Sequence, residues 1–282
     1  MKETAAEAVA ASQKMAAALA RLNFVQPVRR ENWPDTLGQA LRPVRLDKDA
    51  LKRLLGFEGN VERARYISRS KPVYYVDCDI AGMLMVSAAQ ALGWDVRLVE
   101  VPDHHFIRWH LADGRTVNWD WTVWASMSDT RYARDEKLDD ASVRRGLYLK
   151  SYSAAEAYGY FLGLIASNVD DLSAKISLFD EAITAGPNIR TTANNYAWTV
   201  ATHPDKAEGR MRTALSLALQ AWSARPQDSR IADTVACVFA ALNDAATAQA
   251  VEDYALQHAR NGKEKAGLRS NRERIGNGQL CQ

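Results

Sequence analysis

The chain has 282 residues, 47% of them hydrophobic and 25% charged, with a formal net charge of +2 at pH 7. This composition suits a globular protein of one large or two ordinary domains. It lacks the basic excess that marks a nucleic-acid or anionic-membrane partner, and it lacks the run of about 18 apolar residues that a membrane-spanning helix needs.

Residues 1–22 are Ala-rich, and residues 4–22 predict a helix. Lys2, Glu3, Glu7, Gln13 and Lys14 interrupt the segment, so it has no signal-peptide core. A cytoplasmic location is the expectation, with an exported form whose leader has been trimmed as the alternative. A Pro- and Arg-containing stretch (27–43), a short helix (47–55) and a polar, irregular stretch (56–71) follow. Nothing in residues 1–60 carries chemistry, and the segment is expected to pack on the region after it.

Residues 61–140 read as an α+β core. The run Cys78-Asp-Ile-Ala-Gly-Met-Leu-Met-Val-Ser-Ala-Ala-Gln-Ala-Leu92 is apolar on nearly all sides, which describes a central, buried helix rather than a surface one. Gly93 is placed to end it in the left-handed conformation. Residues 96–101 predict a strand closed by Pro102 and Asp103. Two more strands, 104–111 and 116–123, flank Asp113-Gly114, a hairpin signal.

Residues 141–262 read as all-helical, with a weak internal repeat. Asn195-Tyr-Ala-Trp-Thr-Val-Ala aligns with Thr234-Val-Ala-Cys-Val-Phe-Ala, and Glu181-Ala-Ile-Thr-Ala-Gly-Pro with Gln220-Ala-Trp-Ser-Ala-Arg-Pro, both at an offset of 39. This is a helix–turn–helix period ending in Pro, longer than the roughly 34 residues of a tetratricopeptide repeat. The excess fits an insertion near His203-Pro-Asp-Lys. Residues 263–282, charged and containing Gly and Asn, predict a flexible tail.

The three cysteines, Cys78, Cys237 and Cys281, have long spacings and no Cys-x-x-Cys pair, so neither a zinc site nor a disulfide is expected. Cys237 reads as a small buried hydrophobe, and Cys281 lies in a polar tail. Without metal-ligand spacing or a Gly-rich phosphate loop, no metal or cofactor is expected.

Chemistry concentrates around Cys78. A thiol at a helix start has its pKa lowered by outward-pointing amides. The flanking Asp77 and Asp79 raise it, unless one of them caps the helix instead. A base is supplied by His104 or His105, which face opposite sides of one strand. The hairpin register decides which of them shares a face with Asp120. A two-residue Asp113-Gly114 turn selects His105; a three-residue Ala112-Asp113-Gly114 loop selects His104. Asn118, on the Asp120 face, is a candidate polar wall. Trp94, Trp109, Trp119, Trp121 and Trp124 mostly serve packing.

Residues 74–122 resemble the core of the transglutaminase-like superfamily, a papain-like cysteine fold. In that family a Cys opens the central helix, a His precedes an aromatic by two positions on the next long strand, and an Asp-x-Thr follows. Cys78, His104 with Phe106, and Asp120-Trp-Thr122 match those positions, while the family's frequent Trp after the Cys is absent. The stretches around His104 and Asp120 resemble a bacterial branch with tetratricopeptide-like helices after the core. The resemblance implies a central helix packed on an antiparallel sheet, followed by an all-α helical domain. It also implies a catalytic Cys78, His104 and Asp120, with His105 as alternate base, acting on a peptide or protein amide as hydrolase or acyltransferase. The alternative is a catalytically silent core that grips a protein partner together with the helices.

Overall fold

The computed structural model describes residues 4–29, 32–34, 36–203, 207 and 209–282. The chain forms two compact units, Met1–Ala154 and Ala155–Gln282.

In the first unit, Thr4 opens helix α1 (Ala5–Arg21) through a capping box with Glu7. Strand β1 (Phe24–Val25) follows, then the short helix α2 (Leu37–Ala40) and α3 (Lys48–Leu55), which Asp47 caps. Strand β2 (Tyr74–Tyr75) pairs in parallel with β1. Helix α4 (Cys78–Ala91) then begins directly after its cap, Asp77, and the chain leaves it through Gly93 at φ 71°.

Strands β3 (Val96–Val101), β4 (His104–His110) and β5 (Thr116–Trp119) form an antiparallel sheet in that order. Val101 pairs with His104 across the Pro102–Asp103 turn, so β4 begins with both histidines. The next connection settles the register. The amide of Leu111 bonds the carbonyl of Arg115, which leaves a loop of Ala112, Asp113 and Gly114 with Gly114 at φ 82°. A glycine suits that left-handed position because a Cβ would be strained there. Ile107 therefore faces Trp119 and Arg108 faces Asn118, so His104 shares a face with Asp120 and His105 lies on the other.

The two faces have different covers. Leu98, His105, Ile107, Trp109 and Trp119 lie on one face, with α4 close above it. A Cβ on Gly82 would come 2.8 Å from Cδ1 of Leu98, so the small residue permits this helix–sheet approach. Helix α1 reaches the same face, where Ser12 Oγ accepts a hydrogen bond from Trp109 Nε1 at 2.8 Å. The opposite face carries Val99, Val101, His104, Phe106, Arg108 and Asn118. It packs under α5 (Asp129–Asp135) and α6 (Asp140–Arg144): Phe106 stacks on Tyr132 of α5 with ring centroids 4.1 Å apart, and Val143 of α6 joins the cluster. Residues after α6 stay with this unit, since the amides of Leu149 and Tyr152 bond the carbonyls of Glu100 and Leu98 on β3.

The second unit is helical: α7 (Ala154–Ser167), α8 (Leu172–Ala185), α9 (Arg190–Thr202), α10 (Met211–Ala224), α11 (Ser229–Ala241), α12 (Ala245–His258) and α13 (Gly262–Gly276). The repeat read from sequence appears in these bounds. Helix α10 begins 39 positions after α8 (211 against 172), and α11 begins 39 after α9 (229 against 190). Helix α12 follows α10 by only 34 positions (245 against 211), so the extra length sits between α9 and α10. The insertion expected near His203 falls there; residues 204–206 themselves lie outside the described residues. Phe179, Tyr196, Val200, Leu217 and Val235 form the centre of the helical core. Among the described residues no helix is long and apolar enough to cross a membrane.

Two expectations fail in this unit. The chain beyond Lys263 is not a loose tail: α13 is capped by Asn261 and buries Leu268, Asn271 and Ile275. Nor are Cys237 and Cys281 independent, since they form a disulfide across 44 positions of sequence. The bridge fixes the end of the chain to α11, and Cys281 is buried rather than exposed in a polar tail.

Candidate functional site

Folding gathers the sequence-predicted residues into two groups at the start of β4. The first surrounds the thiol. Asp77 Oδ1 accepts the Ile80 amide at 2.9 Å, so Asp77 is the residue that caps α4. That leaves Cys78 as the first helical residue and the only free cysteine. Cys78 Sγ lies 3.4 Å from Asp79 Oδ1, and the backbone N–H of His105 also donates to the sulfur. Asp79 Oδ1 lies 2.6 Å from His105 Nδ1. One ligand atom from each of Cys78, Asp79 and His105 lies within 4.8 Å of the other two. Cys78 and His105 are already candidates from the sequence, but Asp79 and His105 are far apart in it, so linear spacing does not reveal their pairing.

Burial governs the electrostatics here. It pushes the Cys78 thiol well above its ordinary value, and Asp79 and Asp77 add to the shift. Burial also raises Asp77, to about 7, with the charge of Asp79 as the second cause. For His105, burial opposes the charged ring, but Asp79, Glu100 and Asp77 outweigh it and raise its pKa. At rest the sulfur is thus a protonated thiol beside a carboxylate–imidazole pair.

The second group lies on the other face of β4. His104 Nε2 lies 2.7 Å from Asp120 Oδ2. Asp120 is 2% exposed, yet its carboxyl is held below the usual range. Burial works against its charge; His104, both donors of Thr122 and the Tyr132 hydroxyl work for it and win. Since Nε2 faces Asp120, Nδ1 is the ring atom of His104 left for other chemistry. The His104 side chain is 19% exposed, so the ring is accessible.

Sequence reading missed two residues of this group. Tyr132 on α5 donates to Asp120 Oδ2 at 2.7 Å and stacks on Phe106. Arg63, from the polar, irregular stretch 56–71, is fully buried with its guanidinium 4.1 Å from the Trp121 ring centroid and bonded to the Trp121 carbonyl. Burial lowers its pKa to about 9, while Asp120 pulls it upward. An arginine in a polar stretch gives no sequence sign that it will be buried. Tyr132 does have a legible clue, being the aromatic member of an otherwise polar capped helix.

The remaining candidates are structural ties. Asn118 accepts from Arg108 Nε at 2.8 Å and donates to the Met127 carbonyl and to Asp129, which fastens β5 to the segment before α5. It does not join the thiol cluster. Trp109, Trp119 and Trp121 are buried, and Trp124 packs against Trp121 and Tyr66. Tyr75, beside the cap of α4, packs against the cluster that includes Val25 and Leu54.

The arrangement combines a thiol at a helix start, two imidazoles on the adjoining strand and a carboxylate for each ring, Asp120 buried and Asp79 partly exposed. These are the parts of a cysteine-dependent catalytic site. No family model matches the chain, and no curated protein matches it as a relative.

Proposed function

We propose that the chain is a transglutaminase-like cysteine hydrolase or acyltransferase acting on a peptide or protein amide, with Cys78 as nucleophile, His104 as base and Asp120 as the group that orients it. The observation that carries this reading is the His104–Asp120 pair, bonded through Nε2 at 2.7 Å on the strand whose next amide donates to the Cys78 sulfur. That bond commits one ring nitrogen of His104; because the thiol cluster lies on the opposite face of β4, Nδ1 takes the thiol proton only by reaching the sulfur around the start of that strand. The carboxylate stabilises the imidazolium that forms. The thiolate then adds to the carbonyl, and backbone amides at the start of α4 hold the oxyanion. Loss of the amine gives a thioester. Water then yields an amidase or protease, and a second amine yields acyl transfer. His105, already paired with Asp79, is the alternate base.

One observation favours the second reading, a silent core that grips a partner. Cys78 is only 6% exposed, and burial and two carboxylates disfavour its thiolate. A working site must therefore open over the sulfur before a substrate carbonyl can reach it. The repeat-like helices of the second unit are the proposed surface for a protein partner. The Cys237–Cys281 bridge supports an oxidising compartment over the cytoplasm. The test is a peptide mixture incubated with the protein, with and without an added primary amine, and read by mass spectrometry. Cleaved or transamidated peptides that vanish in Cys78→Ala support the enzyme; no product under either condition leaves the silent module.

A further inference from the structure

The same thiol cluster has a second use that needs neither His104 nor Asp120. We infer that Cys78, Asp79 and His105 form a binding site for a borderline divalent cation of the Zn²⁺ class, which holds the sulfur as a metal thiolate and so silences it as a nucleophile. The metal site stands without the cysteine-enzyme reading; its regulatory consequence rests on that reading.

The donor set is the first argument. A thiolate sulfur, an imidazole nitrogen and a carboxylate oxygen are the three ligand types that Zn²⁺ takes, with bonds of about 2.0–2.3 Å. Tetrahedral ligands at such lengths lie roughly 3.3–3.8 Å apart. Cys78 Sγ is already 3.4 Å from Asp79 Oδ1, and all three ligand atoms lie within 4.8 Å of one another. Closing on a cation therefore takes side-chain rotations of about an ångström, with the short Asp79–His105 contact opening to admit the ion. The chain forms this set in an economical way: Cys78 and Asp79 are consecutive in the first turn of a capped helix, and His105 comes from the strand beneath it.

Charge is the second argument, and it comes from separate residues. Glu100, 3% exposed, stands directly opposite His105 in the β3–β4 register on the same sheet face. Asp77, 8% exposed, precedes the thiol. The pocket thus places three carboxylates, Asp77, Asp79 and Glu100, around one imidazole. Tyr152 donates to Glu100 and holds its position. An excess of negative groups around N, O and S donors favours a divalent cation there. Asp79 is the most open of the three ligands, with 20% of its side chain exposed, and marks the entry side. Uptake is balanced in protons: the thiol releases one as the metal–sulfur bond forms, and His105 releases its Nδ1 proton or transfers it to Nε2.

The test uses the full chain without reductant, where Cys78 is the only free thiol. Titrating Zn²⁺ against a chromophoric chelator should give one tightly held ion per chain, and Co²⁺ should give a sulfur-to-metal charge-transfer band. Losing a ligand should weaken binding by at least about 100-fold, so Asp79→Asn and His105→Ala should lose the ion, while His104→Ala should keep it. One equivalent of Zn²⁺ should also slow alkylation of Cys78 in the unaltered chain, which requires no variant to fold. No bound ion in the chelator competition, or a Co²⁺ spectrum without the sulfur band, overturns the inference. Thiol chemistry that persists in the same metal-free sample leaves the enzyme reading standing. A tightly held ion together with His104→Ala alkylation at the unaltered rate sinks the base assignment and keeps the metal site.

Discussion

Each unit buries carboxylates, and the two treat them in opposite ways. In the first unit Asp120 sits under α5 and stays ionised, because His104, Tyr132 and Thr122 all donate to it. In the second unit Glu252 on α12 is fully buried beside Asp233 on α11, and Asn271 of α13 donates to Asp233 at 2.9 Å. Burial and the neighbouring Asp233 push Glu252 up to about 9, and burial raises Asp233 as well. Glu252 therefore keeps its proton at neutral pH. A buried carboxylate keeps its charge when donors surround it and surrenders the charge when its neighbour is another acid. The first arrangement supplies a fixed charge suited to orienting a histidine. The second is a proton-holding acid pair where three helices meet.

The largest way to break this contrast is Asp120→Ala, which strands His104, Tyr132 and buried Arg63. Chemical denaturation should report a loss of about 3–5 kcal/mol, the usual cost of removing one member of a buried charged network. Next is the covalent tie beside the acid pair, since one sulfur of the bridge lies 3.6 Å from Asp233 Oδ1. Reducing it, or making Cys281→Ser, should cost about 2–4 kcal/mol, measured by urea denaturation with and without reductant. A shift confined to hydrogen exchange in α11–α13 would locate the effect in the second unit.

The pH response sharpens the comparison further. Glu252 binds its proton more tightly folded than unfolded, so this group's contribution is full below about 4.5 and is lost as pH rises toward 9. Glu252→Gln should remove that loss. It should leave stability near pH 4 little changed and raise it at pH 9. Asp120 has the opposite sign. Its folded pKa is depressed, so its contribution holds above the ordinary carboxylate value and fades as pH falls through the folded one. Asp77 and His105, both raised, work against Asp120 within the same unit, so the clean readout is the difference between each variant and the unaltered chain. The smallest effect is Tyr132→Phe. It deletes one donor to Asp120 and should cost about 1.5 kcal/mol, with the acid limb of any activity profile moving to higher pH.

Much of the site's scaffold was legible in the sequence. The all-round apolar run after Cys78, the Gly93 stop and the Asp113-Gly114 signal each correspond to α4, its end and the hairpin. Sequence left the hairpin register open because two- and three-residue loops both suit Asp113-Gly114; one hydrogen bond, Leu111 to Arg115, separates them. The Asp79–His105 pairing was hidden because it depends on which strand passes beneath the first turn of α4. In the second unit, α13 offers few apolar positions, so periodicity was faint. Its cap was readable, with Asn261 followed three positions later by Glu264, whose amide bonds the Asn261 side chain. The Cys237–Cys281 bridge carries no spacing motif and became visible only once α13 was seen to turn the chain end back onto α11.

The most direct test of the central claim is the rate at which an uncharged electrophile alkylates Cys78 across pH 5–9, roughly the span in which a histidine titrates, in the unaltered chain and in His104→Ala. The account predicts a reactive thiol near neutral pH that loses at least about tenfold in rate when His104 is removed, the low end of what a positioned base contributes. Equal rates in the two proteins, rising only at alkaline pH as for an unassisted buried thiol, would contradict it.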